Sequence, residues 1–253
     1  MTPLHFTKRY PTPERTAAAA RHYRWIGQHV KPLRQPALIS TGSDSLTFEW
    51  IEGRPVRPED LPHMAELLGR AHGAAWSSDL HTASLNTPHC FQDGTAFDDY
   101  LGPREAALRR RHAQGYLPDN VSLNAMLRLL EETAQGPSAF YKDSNPRNFI
   151  ITNAGDIVTV DTDDLSLAPM GYDLAKLIAT LHLTYGPLTE QAINGSLFAY
   201  NASAGCYGAR LAATDRERLD DFLVVHAVLT APYVGRNGYR YSWPIGPRLR
   251  GTS

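Results

Sequence analysis

The segment 140–164 constrains the fold of this chain most, because it joins two short apolar runs to unusually polar ends. The runs at 149–151 and 157–160 flank the tetrapeptide Asn-Ala-Gly-Asp at 153–156. That tetrapeptide favours a turn, since Gly reaches positive φ and both Asn and Asp tolerate it. The pattern therefore predicts a β-hairpin. A hairpin accounts for the turn, but it does not require the acids and amides found at the two ends.

These polar ends are predicted to meet. Asp143 and Asn148 lead into the hairpin, and Asp161, Asp163 and Asp164 lead out of it. Both groups then lie at the same open end of an antiparallel pair. Mg²⁺ takes oxygen ligands from one or two carboxylates and leaves its other positions to water and phosphate, so Asn148 and Asp161 fit a metal site. A carboxylate outside that site, such as Asp143, could accept a hydroxyl proton.

The composition favours an ordinary globular protein. The chain has 253 residues, 42% hydrophobic and 20% charged, and its formal net charge of −1 gives no reason to expect nucleic acid or an anionic membrane as a partner. Cys90 and Cys206 form neither a disulfide framework nor a metal-ligand spacing, which fits the cytoplasm. The first residues lack the apolar stretch of a signal peptide, and no apolar run is long enough to span a membrane.

The order of predicted elements indicates an α+β fold, because strands and helices segregate rather than alternate. A strand is expected near 4–9 and a second hairpin from 37–40 and 45–51. Helices are expected at 14–30, 59–76, 98–114, 122–133 and 171–186, with a loop at 77–97 and two or three more helices up to about residue 233. The boundary between the two parts is expected in the connector 52–58.

Three stretches together resemble a known family. "YKDSNPRN", "VDTDD" and "GYDLAKL" are similar to the catalytic loop, metal segment and following helix of the aminoglycoside phosphotransferase and choline kinase superfamily, which has a protein-kinase-like fold. "FEWIEGRPV" resembles its interlobe hinge. The resemblance implies two lobes: a small, reduced, β-containing N-terminal lobe with the hinge at 1–54, and a mainly helical C-terminal catalytic and substrate lobe at 55–253.

The resemblance also implies roles for individual residues. Asp143 corresponds to the catalytic base, Asn148 and Asp161 to the Mg²⁺ ligands, and Asp163 to an acid that assists the metal site. Lys8 corresponds to the lysine that steadies the α- and β-phosphates of ATP or GTP. The hinge backbone, which includes Glu49 and Ile51, would hold the base of the nucleotide, and Asp173 would brace the catalytic loop.

The chain departs from the family pattern at several positions. Tyr141 and Lys142 replace the usual His and Gly before the catalytic acid, and 17–20 is all alanine where a glutamate partner for the lysine is expected. Only seven residues precede Lys8, which leaves no room in this sequence for the family's phosphate-covering hairpin. These departures keep open an alternative, a pseudokinase-like binding or regulatory module without phosphoryl transfer. Nucleotidyl transfer at the same metal site also stays open.

Less specific interpretations remain for single features. Asp143 and Asn148 could simply cap a turn, and Lys8 could be an ordinary exposed lysine. The acids at 161–164 do not form a calcium loop of the EF-hand type, because Ser166 and Tyr172 stand where that loop needs Gly and Glu.

Charge gives an indication of the acceptor. Residues 176–253 contain eight Lys and Arg against five Asp and Glu, which weighs against a strongly cationic substrate. The aromatic and basic tail at 231–248 could line a site for a flat or anionic molecule, or it could pack over the last helices. The basic run at 103–115 is typical of a solvated helix face, with anion binding as the alternative. The sequence thus predicts a Mg²⁺-assisted, ATP-dependent phosphotransferase acting on a small-molecule hydroxyl, and it does not fix the oligomeric state.

Overall fold

The computed structural model describes residues 4–244. The strands are β1 (His5–Arg9), β2 (Leu38–Thr41), β3 (Ser45–Glu49), β4 (Gly53–Pro55), β5 (His89–Cys90), β6 (Ala96–Phe97), β7 (Ser138–Tyr141), β8 (Phe149–Thr152), β9 (Ile157–Thr159) and β10 (Ser166–Pro169). The α-helices are α1 (Pro13–His29), α2 (Leu61–Ser78), α3 (Leu101–Ala113), α4 (Leu123–Thr133), α5 (Tyr172–Tyr185), α6 (Glu190–Gly205) and α7 (Arg216–Thr230). This order confirms the α+β class, with a small strand-containing first part and a mainly helical remainder.

The first part is an antiparallel sheet with strand order β1-β3-β2, packed against α1. The hairpin predicted from 37–51 is present, although β3 ends at Glu49. Helix α1 begins after Thr12, whose hydroxyl accepts a hydrogen bond from the Arg15 backbone N–H, as an N-cap should. Ala19 and Ala20 of α1 meet Leu46 of β3 in a small apolar cluster. The second half of the alanine run, Ala19 and Ala20, is therefore a packing surface, where larger side chains would separate helix and sheet.

The hairpin predicted from the polar-ended segment is confirmed as β8 and β9, with Ile150 opposite Val158. The connector is different from the expectation, because it contributes β4 as a third strand beside β8. A Cβ atom on Gly53 would overlap the carbonyl oxygen of Ile151, so only glycine permits this approach of the two backbones. The end of the hinge is thereby bonded directly to the hairpin that carries the polar clusters.

The helical part surrounds α5, which is buried from Tyr172 to Leu183. Among the other predicted helices, α3 starts at Leu101 rather than at 98, because Asp98 forms an isolated β-bridge with Ser166 and its carbonyl accepts the Leu167 N–H at 2.9 Å. The loop expected at 77–97 contains the short pair β5 and β6, and β7 pairs with β10. Within residues 4–244, none of the helices has the length and apolar character needed to cross a bilayer.

Candidate functional site

Two cavities meet at the loop between β7 and β8. The hinge cavity has a volume of about 630 Å³, and among its lining residues are Lys8, Glu49, Ile51, Asn148, Asp161 and Asp163. The loop cavity has a volume of about 310 Å³, and among its lining residues are Arg111, Tyr141, Asp143, Lys176, His226 and Tyr239. Arg147 lines both cavities. The predicted site residues therefore lie around two adjoining spaces, with Asp143 facing one and the predicted metal ligands facing the other.

Asp173 fixes the shape of the loop that carries Asp143. Its carboxylate is fully buried and accepts the backbone N–H groups of Ser144 at 2.8 Å and of Lys142 at 3.3 Å. These two bonds flank Asp143, whose φ of 58° lies in the left-handed region that non-glycine residues rarely adopt. Such backbone strain persists only where the surroundings enforce it, and it is concentrated at functional sites. Asp173 acts here through the backbone, as the resemblance implied.

The carboxylate of Asp143 is held by two donors. Lys176 Nζ lies 2.9 Å from Asp143 Oδ1, and the Tyr141 hydroxyl donates to the same oxygen at 2.7 Å. Partial burial alone would raise the pKa of Asp143, but the charge and hydrogen bond of Lys176, with the Tyr141 bond, lower it to about 2. Asp143 is therefore ionised at neutral pH and already oriented toward the loop cavity.

Asn148 joins the two ends of the hairpin. Its side-chain amide nitrogen donates to the Asp143 backbone carbonyl at 3.0 Å, and its backbone carbonyl accepts the Val160 N–H at 2.9 Å. The first bond fixes the amide so that its oxygen is available to the hinge cavity. The sequence prediction that the two polar clusters share one end of the hairpin is thus confirmed in the backbone hydrogen bonds.

Asp161 and Asp163 converge on Lys8. The Lys8 ammonium contacts Asp161 Oδ1 and lies 2.9 Å from Asp163 Oδ1. Burial lowers the pKa of Lys8, but hydrogen bonds and charges from the two carboxylates outweigh it and raise the pKa overall. Asp161 also has a left-handed φ of 61°. The lysine predicted to contact phosphates therefore neutralises the predicted metal acids in the structure.

The oxygen donors at this end of the hinge cavity fit a hard divalent cation. Within residues 4–244, no group of three or more His, Cys, Asp or Glu side chains could hold a metal by itself. The donor set is instead two carboxylates and one amide, from Asp161, Asp163 and Asn148. Mg²⁺ uses such a set when phosphate oxygens and water complete its shell. These residues therefore suit a metal ion that is bound together with a nucleotide.

The two predicted hinge residues differ in what they offer a ligand. The Glu49 N–H already donates to the Ala37 carbonyl at 2.8 Å, and the Glu49 side chain accepts the Ala37 N–H at 3.1 Å. The Ile51 N–H forms no hydrogen bond with any described group. Since both residues line the hinge cavity, the open backbone donor there is that of Ile51. Sequence reasoning alone did not distinguish the two.

Several residues at the site were not singled out from the sequence. Lys176 stands three positions after Asp173 on α5, a spacing that places both side chains on one helix face, and this periodicity could have revealed it. His22 was missed as well. Its Nδ1 accepts the Leu165 N–H at 3.1 Å and its Nε2 donates to the Ala96 carbonyl at 3.0 Å. His22 therefore ties α1 to the segment that follows Asp163, a contact that no local pattern predicts.

Comparisons with solved structures agree with this architecture. The structure resembles a choline kinase, LicA from Streptococcus pneumoniae, with a TM-score of 0.56 and 13% identity over 90% of this chain and 76% of that one. It also resembles the macrolide 2'-phosphotransferase MphH from Brachybacterium faecium, with a TM-score of 0.55 and 14% identity over 90% and 77% of the two chains.

A third similar structure contains ligands. The amicoumacin kinase hAmiN, in complex with AMP-PNP, Ca²⁺ and Ami, gives a TM-score of 0.57 with 13% identity over 89% of this chain and 72% of that one. At these identities the likeness establishes the fold alone. No curated protein matches the sequence. The sequence profile described as "Phosphotransferase enzyme family" matches residues 5–213. The chain therefore belongs to the phosphotransferase enzyme family, whose structural relatives here are small-molecule kinases with a kinase-like fold.

Proposed function

We propose that this protein transfers the γ-phosphoryl group of ATP, or of GTP, to a hydroxyl group of a small molecule. The observation that carries this proposal is the division of polar groups between two adjoining cavities. The hinge cavity holds the oxygen donors and the lysine that suit a metal-bound triphosphate, and the loop cavity holds one ionised carboxylate, Asp143. The phosphoryl donor and the acceptor would meet beside Arg147, which lines both cavities. The boundary between the two lobes would lie near residue 54.

The nucleotide would occupy the hinge cavity. Its base accepts a hydrogen bond from the open Ile51 N–H and packs among aromatic side chains, which include Phe6 and Trp50. The triphosphate would extend toward Lys8, which then exchanges its carboxylate partners for phosphate oxygens. Asn148, Asp161 and Asp163 would hold Mg²⁺. When bound, the metal supplies positive charge that offsets the charge developing on the phosphates.

The acceptor would occupy the loop cavity with its hydroxyl against Asp143. The hydroxyl oxygen forms a bond to the γ-phosphorus as the bond from phosphorus to the β–γ bridging oxygen breaks, which leaves the nucleoside diphosphate. The hydroxyl proton passes to the Asp143 carboxylate and from there to solvent. A strong base is unnecessary, because transition states of this class are loose and depend mainly on positioning and electrostatics. A carboxylate with a pKa of about 2 is thus suited to orient the hydroxyl.

We also place this reaction in the cytoplasm. Cys90 and Cys206 are both free and exposed, as is usual where thiols stay reduced.

The proposal is tested by thermal-shift titration with ATP and with GTP, each with and without Mg²⁺. A ligand that binds only the folded state at a hundredfold excess over its dissociation constant stabilises it by about 2.7 kcal/mol. We expect a Mg²⁺-dependent shift that is lost in Asp161→Asn. Asp164→Asn is the matched control, because the Asp164 side chain is 79% exposed and forms an ion pair with Arg15 at 3.7 Å. No shift with either nucleotide would favour the pseudokinase-like alternative.

A further inference from the structure

The loop cavity is positively charged. Among the described residues that line it, Arg111, Arg147 and Lys176 are cations, and Asp143 is the one carboxylate. His226 adds no charge at neutral pH, because burial lowers its pKa well below the usual value and the neighbouring Lys176 lowers it further. Lys176 and Asp143 neutralise each other, so two guanidinium groups remain without a carboxylate partner in the cavity wall.

A third guanidinium lies directly behind this wall. Arg104 is buried, and its guanidinium carbon lies 4.9 Å from the ring of Tyr141, which lines the cavity. It is also stacked at 4.5 Å over Tyr100 and at 4.7 Å over Tyr172, and it donates to the Tyr100 carbonyl at 2.9 Å. Arg104 forms no ion pair with any residue in 4–244. A buried charge without a counter-ion is costly, and an anion in the adjoining cavity would offset that cost.

Arg111 is placed to contact a molecule in the loop cavity and not one in the hinge cavity. It lies on α3 and lines the loop cavity but not the hinge cavity, whereas Arg147 lines both. Its guanidinium is held by neutral oxygens, the Leu229 carbonyl at 3.2 Å and the Tyr233 hydroxyl at 3.4 Å. Arg147 can therefore assist the transferring phosphoryl group, while the charge of Arg111 is left for the acceptor itself.

Three tyrosines, Tyr141, Tyr233 and Tyr239, also line the loop cavity, together with smaller aliphatic and polar side chains. Tyr239 is 6% exposed and its ring lies 5.5 Å from the Arg147 guanidinium. At about 310 Å³ the cavity is near the lower end of the range for small-molecule sites, roughly 300–1,000 Å³. Its size and lining thus favour a compact, flat molecule over a large polycation.

We infer that the acceptor is a compact aromatic or planar hydroxyl compound that carries a carboxylate or similar anionic group, bound by Arg111. The inference rests on the proposed function in treating the occupant of the loop cavity as the phosphoryl acceptor. The anionic group pairs with the Arg111 guanidinium, the ring packs among the tyrosines, and the hydroxyl reaches Asp143. Of the basic run at 103–115, one member would thus bind substrate.

The test uses three probes that share one ring and one hydroxymethyl group. They are para-hydroxymethyl benzoate, the corresponding benzamide and the corresponding benzylamine, which are anionic, neutral and cationic. Binding is measured by ligand-observed NMR titration on the whole chain, with and without Mg-ADP. We expect the benzoate to bind at least about tenfold more tightly than either other probe, because a charge-assisted bond to a guanidinium contributes that much.

Two variants test whether the Arg111 guanidinium causes the preference for the benzoate. Arg111→Gln should weaken benzoate binding about tenfold and leave the benzamide unchanged. Arg110→Gln is the matched control, since Arg110 is the preceding residue of the same helix, is exposed and does not line the cavity. If Arg111→Gln destabilises the unliganded protein, Arg111→Lys replaces it: the retained charge should preserve the preference for benzoate over benzamide, and loss of that preference with an intact fold would contradict the inference.

The outcomes separate this inference from the proposed function. Equal binding of the three probes, preference for the benzylamine, or no detectable binding overturns the anionic acceptor, as does an Arg111→Gln variant that binds benzoate normally. If Arg111→Gln instead weakens Mg-ATP binding and spares benzoate, the cation serves the nucleotide and the inference is wrong. A retained benzoate preference without any nucleotide binding would refute the kinase and still support an anion site in the loop cavity.

Discussion

The hinge cavity and the loop cavity lie side by side, yet they are assembled in different ways. The hinge cavity, at about 630 Å³, is formed by β1, β3, β4 and the β8–β9 hairpin with its polar ends. The loop cavity, at about 310 Å³, combines side chains from α3, α5 and α7 and the segment after them. The difference shows that most polar groups of the hinge cavity come from a short contiguous motif, whereas the loop cavity is assembled largely by helices distant in sequence.

Each cavity also has a buried cation behind an aromatic side chain. Lys142 Nζ lies 4.0 Å from the ring centroid of Phe149, which lines the hinge cavity, and Arg104 lies behind Tyr141 of the loop cavity. None of the described residues forms a hydrogen bond with Lys142 Nζ, and burial lowers the pKa of this amine to about 8. For Arg104, burial lowers the pKa but the surrounding tyrosines raise it overall. The charge behind the loop cavity is therefore permanent, and the charge behind the hinge cavity can be lost.

The largest expected effect tests whether the loop cavity contributes to phosphoryl transfer without contributing to nucleotide binding. Asp143→Asn should reduce kcat by about 10²–10⁴-fold, the usual contribution of a positioned proton acceptor. It should leave the Mg-ATP thermal shift intact, since Asp143 lines the loop cavity and not the hinge cavity. Steady-state kinetics and the thermal shift are measured on the same samples, with Asp164→Asn as the control. Loss of nucleotide binding in Asp143→Asn would mean that the cavities do not act separately.

The second prediction concerns the buried amine behind the hinge cavity. A fall in pKa from 10.5 to about 8 corresponds to about 3 kcal/mol, so Lys142→Met should raise the free energy of unfolding at pH 7 by about 1–3 kcal/mol. The loss of stability caused by burying the charged amine is present in full below the pKa of Lys142 in the folded protein. It disappears above the pKa of Lys142 in the unfolded chain. The gap between variant and wild type should thus narrow from about pH 8 to about pH 10.5.

Denaturant unfolding across that pH range measures the gap. Lys31→Met is the control, because Lys31 is exposed and its amine donates to the Gly27 carbonyl at 3.3 Å. A gap that does not change with pH would contradict the assignment of the cost to a buried charge.

The third prediction gives opposite signs for two ligands of the hinge cavity. Lys8→Met should weaken Mg-ATP binding about tenfold, because one charge-assisted contact to phosphate is lost. It should tighten binding of Mn²⁺ without nucleotide, because the cation that competes for Asp161 and Asp163 is removed. Calorimetry of Mg-ATP and paramagnetic titration of Mn²⁺ report the two effects. Arg9→Met, on the same strand but paired with Asp44, should change neither.

The smallest predicted effect concerns the loop cavity and is a shift in pH dependence. Lys176→Met removes the charge that lowers the pKa of Asp143 to about 2, so the pKa should return toward its usual value of 3.8. The acid limb of kcat/KM, absent from the wild type near about pH 4, should then appear there. Lys176→Arg, which keeps the charge, should retain the wild-type profile. An identical acid limb in all three proteins would show that Lys176 does not tune Asp143.

The sequence was most informative where the structure depends on residues that are close together along the chain. The turn at 153–156 and the alternation of the flanking strands predict the β8–β9 hairpin, and antiparallel geometry then brings Asn148 and Asp161 to one end. Helices with clear periodicity, such as α2, were located to within a few residues. These features depend on interactions between near neighbours, which a single sequence records.

What the sequence could not predict depends on distant contacts. β4 and the short strands β5 and β6 are too brief to have a period of their own, and they exist because a partner strand is present. Nothing in the basic run 103–115 indicates which arginine faces a cavity until α3 is packed against α7. In the same way, Lys176 pairs with Asp143 across 33 positions, so only the folded arrangement shows that the carboxylate has a depressed pKa.

The contact of Lys8 with Asp161 and Asp163 joins the first sheet to the hairpin of the helical part. The ammonium group contacts both carboxylates and offsets the repulsion between them. Entry of a metal would free the lysine from both acids, and a triphosphate would give it new partners. The two halves of the molecule would then be connected through the nucleotide instead of through an ion pair. Metal and nucleotide would consequently bind with positive cooperativity, and either one alone would loosen the connection that both together restore.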